Sequence, residues 1–329
     1  MSQTRARRLE IVDPSHIDTG PDAPLRFRRH LPGEDDESEA DCELTHSIRR
    51  CGIMQPPLLM GDVQTAPDSV LVIQGHRRLA AARAAELPTT EALVLSAATL
   101  TKQELAACWL EEAPSGKPLS ELEQILLTRK CATFVGDSYT ELLPHLSRAV
   151  GRRLSPGFIE QTWKLLTLDE ATLELFHRGV VSTGDLFILS GHEVIDTSEA
   201  VRLLSGEKLN RREQKEAVRL MIRIGDRGTE EWERFTAGYR AGSRPLHDAL
   251  QETCYPTLSR DMKAIEAIVH EMGLPPGAGM QPPQNLEGGS YRLTVRIRDE
   301  RILAGTLQKL QDALAKGAIS RLLRILKGE

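Results

Sequence analysis

Residues 70–86 read VLVIQGHRRLAAARAAE, and this stretch decides the fold of the N-terminal part of the chain. The apolar run from Val70 to Ile73 predicts a short buried strand bounded by turn residues. Gly75 predicts a tight turn, and the alanine-rich run from Leu79 to Glu86 predicts a helix that ends before Pro88. The expected order is therefore strand, glycine turn and helix.

The turn in this stretch has the chemistry of an anion site. Arg77 and Arg78 lie at the start of the predicted helix, where free backbone amides and the helix dipole favour negative charge. Gly75 allows a ligand to approach the backbone closely, and guanidinium groups bind phosphate through paired hydrogen bonds. The same residues also fit a plain surface pair of arginines after a turn, so both interpretations stay open.

The flanking sequence extends the turn into a small α+β unit over residues 44–98. The short apolar runs Pro57–Met60 and Glu91–Leu95 predict two further strands. Leu44 and Ile48, four residues apart, predict a helix that closes near Gly52. The residues before this unit are polar and predict an irregular region with a solvated acidic loop.

The middle of the chain is expected to be helical throughout. Its sequence contains four capping-box pairs, in which a Ser, Thr or Asn is followed three residues later by Glu: Thr101 and Glu104, Ser120 and Glu123, Thr167 and Glu170, and Asn210 and Glu213. Each pair satisfies backbone amides at a helix start. Because no strand pattern separates the four pairs, an all-α domain is predicted here.

One helix pair in this region has the outline of a helix-turn-helix. An apolar face that begins at Leu142 is followed by a turn at Gly151, a capping Ser155 and Pro156 at a first helical position. An ordinary helical hairpin fits the same pattern. If the pair binds DNA, Arg148, Arg152 and Arg153 form a local basic patch that the net charge of the chain hides.

The C-terminal part is expected to be a separate strand-helix-helix unit after a flexible linker. The stretch from Pro275 to Ser290 is rich in Pro and Gly, which is typical of a linker. Alternating apolar residues from Tyr291 to Ile297 predict a strand, and leucines at 303, 307, 310 and 314 predict a coiled-coil-like seam. About 40 residues cannot bury so much leucine alone, so either a homodimer or docking on the chain's own middle domain must cover it.

Composition excludes several classes of protein. The 329 residues carry a net charge of −5, which argues against a uniformly basic nucleic-acid coat, and only 4% are aromatic, which disfavours base-stacking platforms. The five cysteines stand singly and read as reduced structural thiols. Without an apolar run of membrane-spanning length or a signal peptide, the expected location is the cytoplasm.

The motifs of the N-terminal unit, taken in order, resemble those of the ParB/RepB partition family. The matching segments are SI at 47–48, GIMQP at 52–56, VIQGHRRLAAA at 72–82 and LV at 93–94. The resemblance implies a ParB/sulfiredoxin-like fold with a pocket for CTP and magnesium. It implies phosphate contacts from Gln55, Gly75, His76, Arg77 and Arg78.

Two positions depart from that family's pattern. His76 stands where the family has Glu, which changes charge and pH dependence. The family's metal-binding E-N-x-x-R segment corresponds here to residues 111–117, where Glu112 can ligate magnesium but Ala113 cannot. Lys117 would replace a phosphate-binding arginine. Sulfiredoxin itself has a reactive cysteine in its turn, and this chain has none there, so thiol repair is not expected.

The helical region resembles the same family more loosely, as far as about residue 220. The resemblance favours the helix-turn-helix interpretation, with the helix from Pro156 to Leu166 in the major groove of DNA. Gln161 and Glu160 would then read base edges, and Lys164 would contact phosphate. The expected DNA-binding residues are Arg148, Arg152, Arg153, Ser155, Glu160, Gln161 and Lys164.

These expectations define five regions and a function. The regions are an irregular segment (1–43), a nucleotide-binding domain (44–115), a helical DNA-binding domain (116–273) with its helix-turn-helix near 139–166, a linker (274–290) and a dimerisation unit (291–329). The expected function is chromosome or plasmid partition by a dimeric, CTP-controlled DNA clamp, with at most slow CTP hydrolysis, an association with the nucleoid or a plasmid, and a ParA-type ATPase as a candidate partner. The alternatives are a transcription or replication regulator with a vestigial pocket and, last, a nuclease or nucleotide-using kinase.

Overall fold

The structure is a computed structural model that describes residues 7–34, 38–63, 70–95, 100–113, 118–242, 244–283 and 286–327. The chain divides into two compact units, residues 1–188 and 189–329. Lys117 lies outside the described residues, as does the side chain of Glu112.

The first unit contains a four-stranded mixed sheet with the order β1-β4-β2-β3. The strands are β1 (Arg7–Val12), β2 (Leu58–Met60), β3 (Leu71–Gln74) and β4 (Thr90–Leu95). β4 pairs antiparallel with β1 and parallel with β2, and β2 pairs antiparallel with β3. The three strands expected from the sequence are confirmed to within a residue or two.

β1 differs from the expectation of an irregular N-terminal region. Its six residues pair in register with all six residues of β4, from Arg7 opposite Leu95 to Val12 opposite Thr90. The ladder satisfies the backbone groups that an irregular segment would leave to water. Polar and apolar residues alternate from Arg8 to Ile11, and this alternation is typical of a strand.

Side chains from both faces of β2, β3 and β4 are buried, since neighbouring residues on one strand point to opposite sides. Leu59, Val72 and Val94 belong to one buried cluster with Leu79, while Leu58, Ile73 and Leu95 belong to another with Trp109. The helices of this unit are α1 (Glu39–Cys51), α2 (His76–Ala84), α3 (Lys102–Glu112), α4 (Glu121–Val135), α5 (Leu143–Val150), α6 (Pro156–Trp163) and α7 (Glu170–His177).

Three of the four expected capping boxes are confirmed, and the fourth is wrong. The boxes at Thr101, Ser120 and Asn210 each have both reciprocal hydrogen bonds. α7 is instead capped by Asp169, whose carboxylate accepts from the backbone N–H and the hydroxyl of Thr172. The Thr167 hydroxyl donates to the Lys164 carbonyl in a short 3-10 turn, so it is not available as a cap.

The remaining helices complete the chain. They are α8 (Thr183–Ser190), α9 (Thr197–Ser205), α10 (Arg211–Gly225), α11 (Thr229–Ala241), α12 (Leu246–Cys254), α13 (Pro256–Glu271), α14 (Glu300–Ala315) and α15 (Ala318–Lys327). Two strands, β5 (Ala278–Gln281) and β6 (Arg292–Val295), pair antiparallel. β5 lies inside the stretch interpreted as a linker, so part of that stretch is ordered by pairing with β6.

Part of the C-terminal apolar surface packs within the second unit. Leu322 of α15 and Ala313 of α14 are buried with Ile265 and Ile268 of α13. Docking of the C-terminal helices on the chain's own helical region was one of the two arrangements that the leucine pattern predicted. Leu307 and Leu314 of α14 do not take part in this packing and are 53% and 63% exposed.

Candidate functional site

A cavity of about 260 Å³ lies where β3 ends and α2 begins. Its lining includes the apolar side chains of Phe27, Leu44, Ile73 and Trp109. It also includes four arginines, Arg26, Arg28, Arg77 and Arg78. An apolar wall beside several convergent cations suits a ligand that combines a planar apolar group with negative charge.

Gly75 forms the floor of the cavity and starts α2. Its φ is +95°, in the left-handed region, and a Cβ built on it would lie 2.8 Å from the Cβ of Pro57. The position therefore requires glycine both for its backbone conformation and for space. The turn leaves the first amides of α2 without helical partners of their own.

Replacing Gly75 with alanine is expected to lower the free energy of unfolding by about 2–4 kcal/mol, from left-handed strain plus overpacking against Pro57. Gly136 is a matched control, because its φ is +67° and no atom lies within 4 Å of a Cβ placed there. Chemical denaturation of both alanine variants measures the difference. Equal losses for the two variants would show that Pro57 does not restrict the turn.

Carboxylates or carbonyls hold each of the four cavity arginines. Arg26 makes two hydrogen bonds to Glu34, at 2.6 and 2.7 Å. Arg77 makes two to Asp41, at 2.5 and 2.9 Å, and Arg28 makes one to Glu123 at 3.3 Å. Arg78 donates to the backbone carbonyls of Gln55 and Pro56. The arginine side chains are therefore positioned before any ligand binds, which reduces the ordering cost of binding.

His76 is the first residue of α2 and is 9% exposed. Burial, together with the nearby charge of Arg26, lowers the pKa of His76 to about 4. The imidazole is therefore neutral at pH 7, and it adds no positive charge to the cavity. The ParB/RepB pattern that the sequence resembles has an acidic residue here, whereas this chain has a neutral ring with one donor and one acceptor nitrogen.

The low pKa of His76 predicts a loss of stability on acidification. The imidazole of His76 binds a proton near pH 6.5 in the unfolded chain but only near pH 4 in the folded chain. The free energy of unfolding therefore has its full value, as far as His76 is concerned, above pH 6.5, and it decreases as pH falls to 4. The full loss corresponds to about 3 kcal/mol. Denaturant unfolding at pH 7, 5.5 and 4 should show it, and the His76→Gln variant should lose less over the same interval.

A second titrating group falls outside this pH window. Burial alone would raise the pKa of Glu174, but hydrogen bonds from Arg178 and His30 outweigh it and lower the pKa to about 2. Its contribution is present above pH 4.5 and is lost mainly below pH 4. A wild-type pH profile identical to that of His76→Gln between pH 7 and 4 would contradict the assignment to His76.

The structure brings together five of the six residues predicted for phosphate binding. Gln55, Gly75, His76, Arg77 and Arg78 all line the cavity. The sixth, Lys117, lies outside the described residues. The prediction missed Arg26, Phe27, Arg28 and Trp109, which also line it. Alternation of basic and apolar side chains from Leu25 to Arg28 was the available signal, but nothing local connects it to the glycine turn.

Magnesium is not supported by the described residues. None of them forms a cluster of three or more His, Cys, Asp or Glu side chains suited to a metal ion. The carboxylates of Glu34, Asp41 and Glu123 bind the cavity arginines Arg26, Arg77 and Arg28. Ala113 lines the cavity and offers no ligand atom. The predicted role of Glu112 depends on a side chain outside the description.

The predicted DNA-reading pair forms a helix, a glycine turn and a helix. α5 ends at Gly151, whose φ is +73°, and Ser155 caps α6 by accepting from the Phe158 amide at 3.4 Å. α6 is shorter than expected, because a 3-10 turn begins at Lys164. Trp163 anchors it to α4 through a 3.0 Å hydrogen bond to Thr128.

The residues predicted to contact DNA are exposed around this turn. They are Arg148, Arg152, Arg153, Ser155, Glu160, Gln161 and Lys164. Arg152 lies 4.9 Å from the centre of the Phe158 ring, which holds its guanidinium at the surface. Glu160 already accepts a 2.9 Å hydrogen bond from the Tyr139 hydroxyl. Three arginines and one lysine are thus exposed at the end of α5, in the turn and just after α6.

None of the helices in the described part of the chain is both long and apolar enough to cross a membrane.

Residues 2–111 match the sequence model of the ParB N-terminal domain. Stage 0 sporulation protein J of Bacillus subtilis is 28% identical over 217 residues, which are 64% of this chain and 71% of that protein. A probable chromosome-partitioning protein ParB of Campylobacter jejuni is 26% identical over 188 residues. That alignment covers 57% of this chain and 63% of the Campylobacter protein. The resemblance to partition proteins expected from the motifs is confirmed.

Two crystal structures of the C-terminally truncated chromosome-partitioning protein ParB of Caulobacter crescentus are also similar. The complex with CTP-gamma-S is 20% identical, with a TM-score of 0.26, and covers 60% of this chain and 99% of its own. The complex with the centromeric parS site is 17% identical, with a TM-score of 0.33, and covers 64% of this chain and 98% of its own.

Proposed function

We propose that this chain, whose residues 2–111 match the model of the ParB N-terminal domain, is a DNA-binding partition protein that binds CTP in the cavity at the start of α2. The observation that carries the proposal is a set of four positioned arginines that line one cavity, two of them in the first turn of α2. Backbone amides and arginines at one place favour a polyphosphate. The match to the ParB N-terminal domain is the reason for naming CTP.

The ligand would contact both the arginines and the aromatic residues that line the cavity. Its phosphates would meet Arg78 and the first amides of α2, while its base or sugar would contact Phe27 and Trp109. These two rings pack edge to face, with centroids 5.6 Å apart, so they form a rigid wall. His76, being neutral, would donate or accept a single hydrogen bond.

DNA would bind at α5 and α6. The exposed positions of Gln161 and Lys164 on and just after α6 suit base and phosphate contacts when a helix lies in the major groove. Arg152 and Arg153, in the turn, would bind phosphates. The basic patch is local, which reconciles duplex binding with a net charge of −5.

A homodimer through residues 291–329 would complete the clamp. Leu307 and Leu314 of α14, Leu323 of α15, and Leu293 and Ile297 are large apolar side chains that remain more than 40% exposed. Exposed apolar groups gathered in so short a segment favour burial against a partner. Partition at a chromosome or plasmid site, with a ParA-type ATPase as partner, is the biological role that fits such a clamp.

Sequencing of the DNA that co-purifies with the protein tests the DNA half of the proposal. One discrete, recurring sequence is expected, since a site-specific protein enriches its target over random DNA. Recovery of random sequence at the abundance of a mock purification would contradict it.

A ParB-like transcription or replication regulator is the second candidate. Ala113 at the cavity wall favours it, because alanine stands where the related family has a metal-binding asparagine. Such a protein would still enrich one DNA site, but it would bind no nucleotide. Measurement of CTP binding therefore separates the two.

A further inference from the structure

The cavity arginines are held by three carboxylates, and one of these belongs to the helical part of the first unit. Glu34 and Asp41 precede the central strands of the sheet, whereas Glu123 lies in the first turn of α4. Its partner Arg28 lies on the cavity wall. The pair Arg28–Glu123 thus joins the cavity to α4.

The buried carboxylate of Glu123 accepts hydrogen bonds from several groups at once. Its Oε2 accepts from the Ser120 amide at 3.0 Å, which completes the cap of α4, and from Arg28 at 3.3 Å. Its Oε1 accepts from the backbone N–H of Arg29 at 3.2 Å. The side chains of Arg28 and Glu123 are only 7% and 4% exposed, so solvent screens their charges poorly.

The three arginine–carboxylate pairs differ in how tightly they are made. Arg26 and Arg77 each make two hydrogen bonds of 2.5–2.9 Å to their carboxylates. Arg28 donates to Glu123 at 3.3 Å and to the Pro118 carbonyl at 3.3 Å, among other contacts. The positive charge of Arg77 also acts on Arg28. The hydrogen bond from Arg28 to Glu123 is thus longer than those that join Arg26 and Arg77 to their carboxylates, and an anion in the cavity competes with Glu123 for the guanidinium.

We propose that Glu123 is a positioning residue that restrains nucleotide binding by competing with the ligand for Arg28. An empty cavity leaves Arg28 on Glu123, and an anionic ligand shares or takes the guanidinium. The proposal rests on the proposed function, and it adds the residue that sets the affinity of the cavity. It also gives the empty and the occupied cavity different contacts at the first turn of α4.

The body of α4 is in contact with the DNA-reading helix. Thr128 accepts the indole hydrogen bond of Trp163 at 3.0 Å, and the Arg129 guanidinium lies 5.0 Å from the centre of the same ring. These contacts lie five and six residues beyond Glu123 on one continuous helix. The helix that carries Glu123 in its first turn therefore also contacts α6.

The test is the affinity of the full chain for CTP in the Glu123→Gln variant, measured by isothermal titration calorimetry. Glutamine keeps an acceptor for the cap but removes the negative charge that holds Arg28. We expect the dissociation constant for CTP to fall by roughly three- to tenfold, because charged hydrogen bonds are stronger than neutral ones. A merely structural role for Glu123 predicts weaker binding, since a loosened loop binds less well.

Glu121→Gln is the matched control. Glu121 lies in the same first turn of α4, and its carboxylate accepts from the backbone and the hydroxyl of Thr183, away from the cavity. Its replacement is expected to leave the CTP dissociation constant within about twofold of wild type. If Glu123→Gln binds CTP as the wild type does, or more weakly, the inference is overturned.

A second variant covers the case in which Glu123→Gln does not fold. Glu123→Asp keeps the charge and can still cap the helix, but its carboxylate is one methylene further from Arg28. Glu123→Asp should lower the dissociation constant for CTP, but by a smaller factor than Glu123→Gln does. Unchanged or weaker binding would count against the inference. If the wild type binds neither CTP nor inorganic tripolyphosphate, the proposed function fails, and the inference fails with it. If the wild type binds CTP but neither variant binds it more tightly, only the inference fails.

Discussion

The Arg77→Ala variant is expected to lose about 3–5 kcal/mol of unfolding free energy, because it removes the guanidinium paired with a buried carboxylate. Asp41 is 2% exposed and accepts two hydrogen bonds from Arg77. Its pairing also ties α1 to the first turn of α2. Denaturant unfolding followed by circular dichroism measures the loss.

Two further variants test whether the loss of stability comes from the unpaired charge of Asp41. Arg49→Ala removes an exposed arginine of α1 whose hydrogen bond to the Ala84 carbonyl is at the surface, and we expect it to cost less than about 1 kcal/mol. The double variant Asp41→Asn with Arg77→Met removes both charges and should recover part of the loss. A loss for Arg77→Ala no larger than that for Arg49→Ala would show that Asp41 needs no buried counter-charge.

The second large effect is expected in DNA binding. Replacing both Arg152 and Arg153 with alanine should weaken binding to the co-purified DNA site by about 10- to 100-fold, since each arginine is expected to contact one phosphate. The slope of log affinity against log salt should fall by about 1.8, which corresponds to two lost phosphate contacts in duplex DNA. Fluorescence anisotropy at four salt concentrations measures both quantities.

Arg202 and Lys208 provide the comparison for charge alone. Both are exposed cations of the second unit, and their double alanine variant has the same change in net charge. We expect its affinity to stay within about threefold of wild type and its salt slope to stay unchanged. Equal losses for the two double variants would mean that DNA responds to overall charge, and not to the turn between α5 and α6.

The local features of the fold could be predicted from the sequence because they depend on neighbours in the chain. The strand before Gly75, the glycine turn and α2 follow from an apolar run, a residue that tolerates positive φ and an alanine-rich segment. The same holds for the caps at Ser120 and Asn210. Thr167 was the exception, because Asp169 lies two residues away and is an equally good cap.

The cavity could be predicted only in part, because half of its wall comes from distant segments. Phe27 and Trp109 are 82 residues apart, and neither carries a motif that points to Gly75. The role of Arg28 depends on Glu123, which the sequence identified only as a capping residue. Long-range pairing of this kind has no period or spacing to detect. The environment of His76 was hidden for the same reason, since its low pKa comes from burial.

Calorimetric titration of CTP into the full wild-type chain, with and without the co-purified DNA site, tests the central claim most directly. The account predicts saturable binding of one CTP per chain that becomes tighter when the DNA site is present. It also predicts that Arg78→Ala weakens that binding by about 10- to 100-fold, because Arg78 supplies charged hydrogen bonds at the helix start. No heat of CTP binding under either condition, from a folded protein that still binds the DNA site, would contradict it.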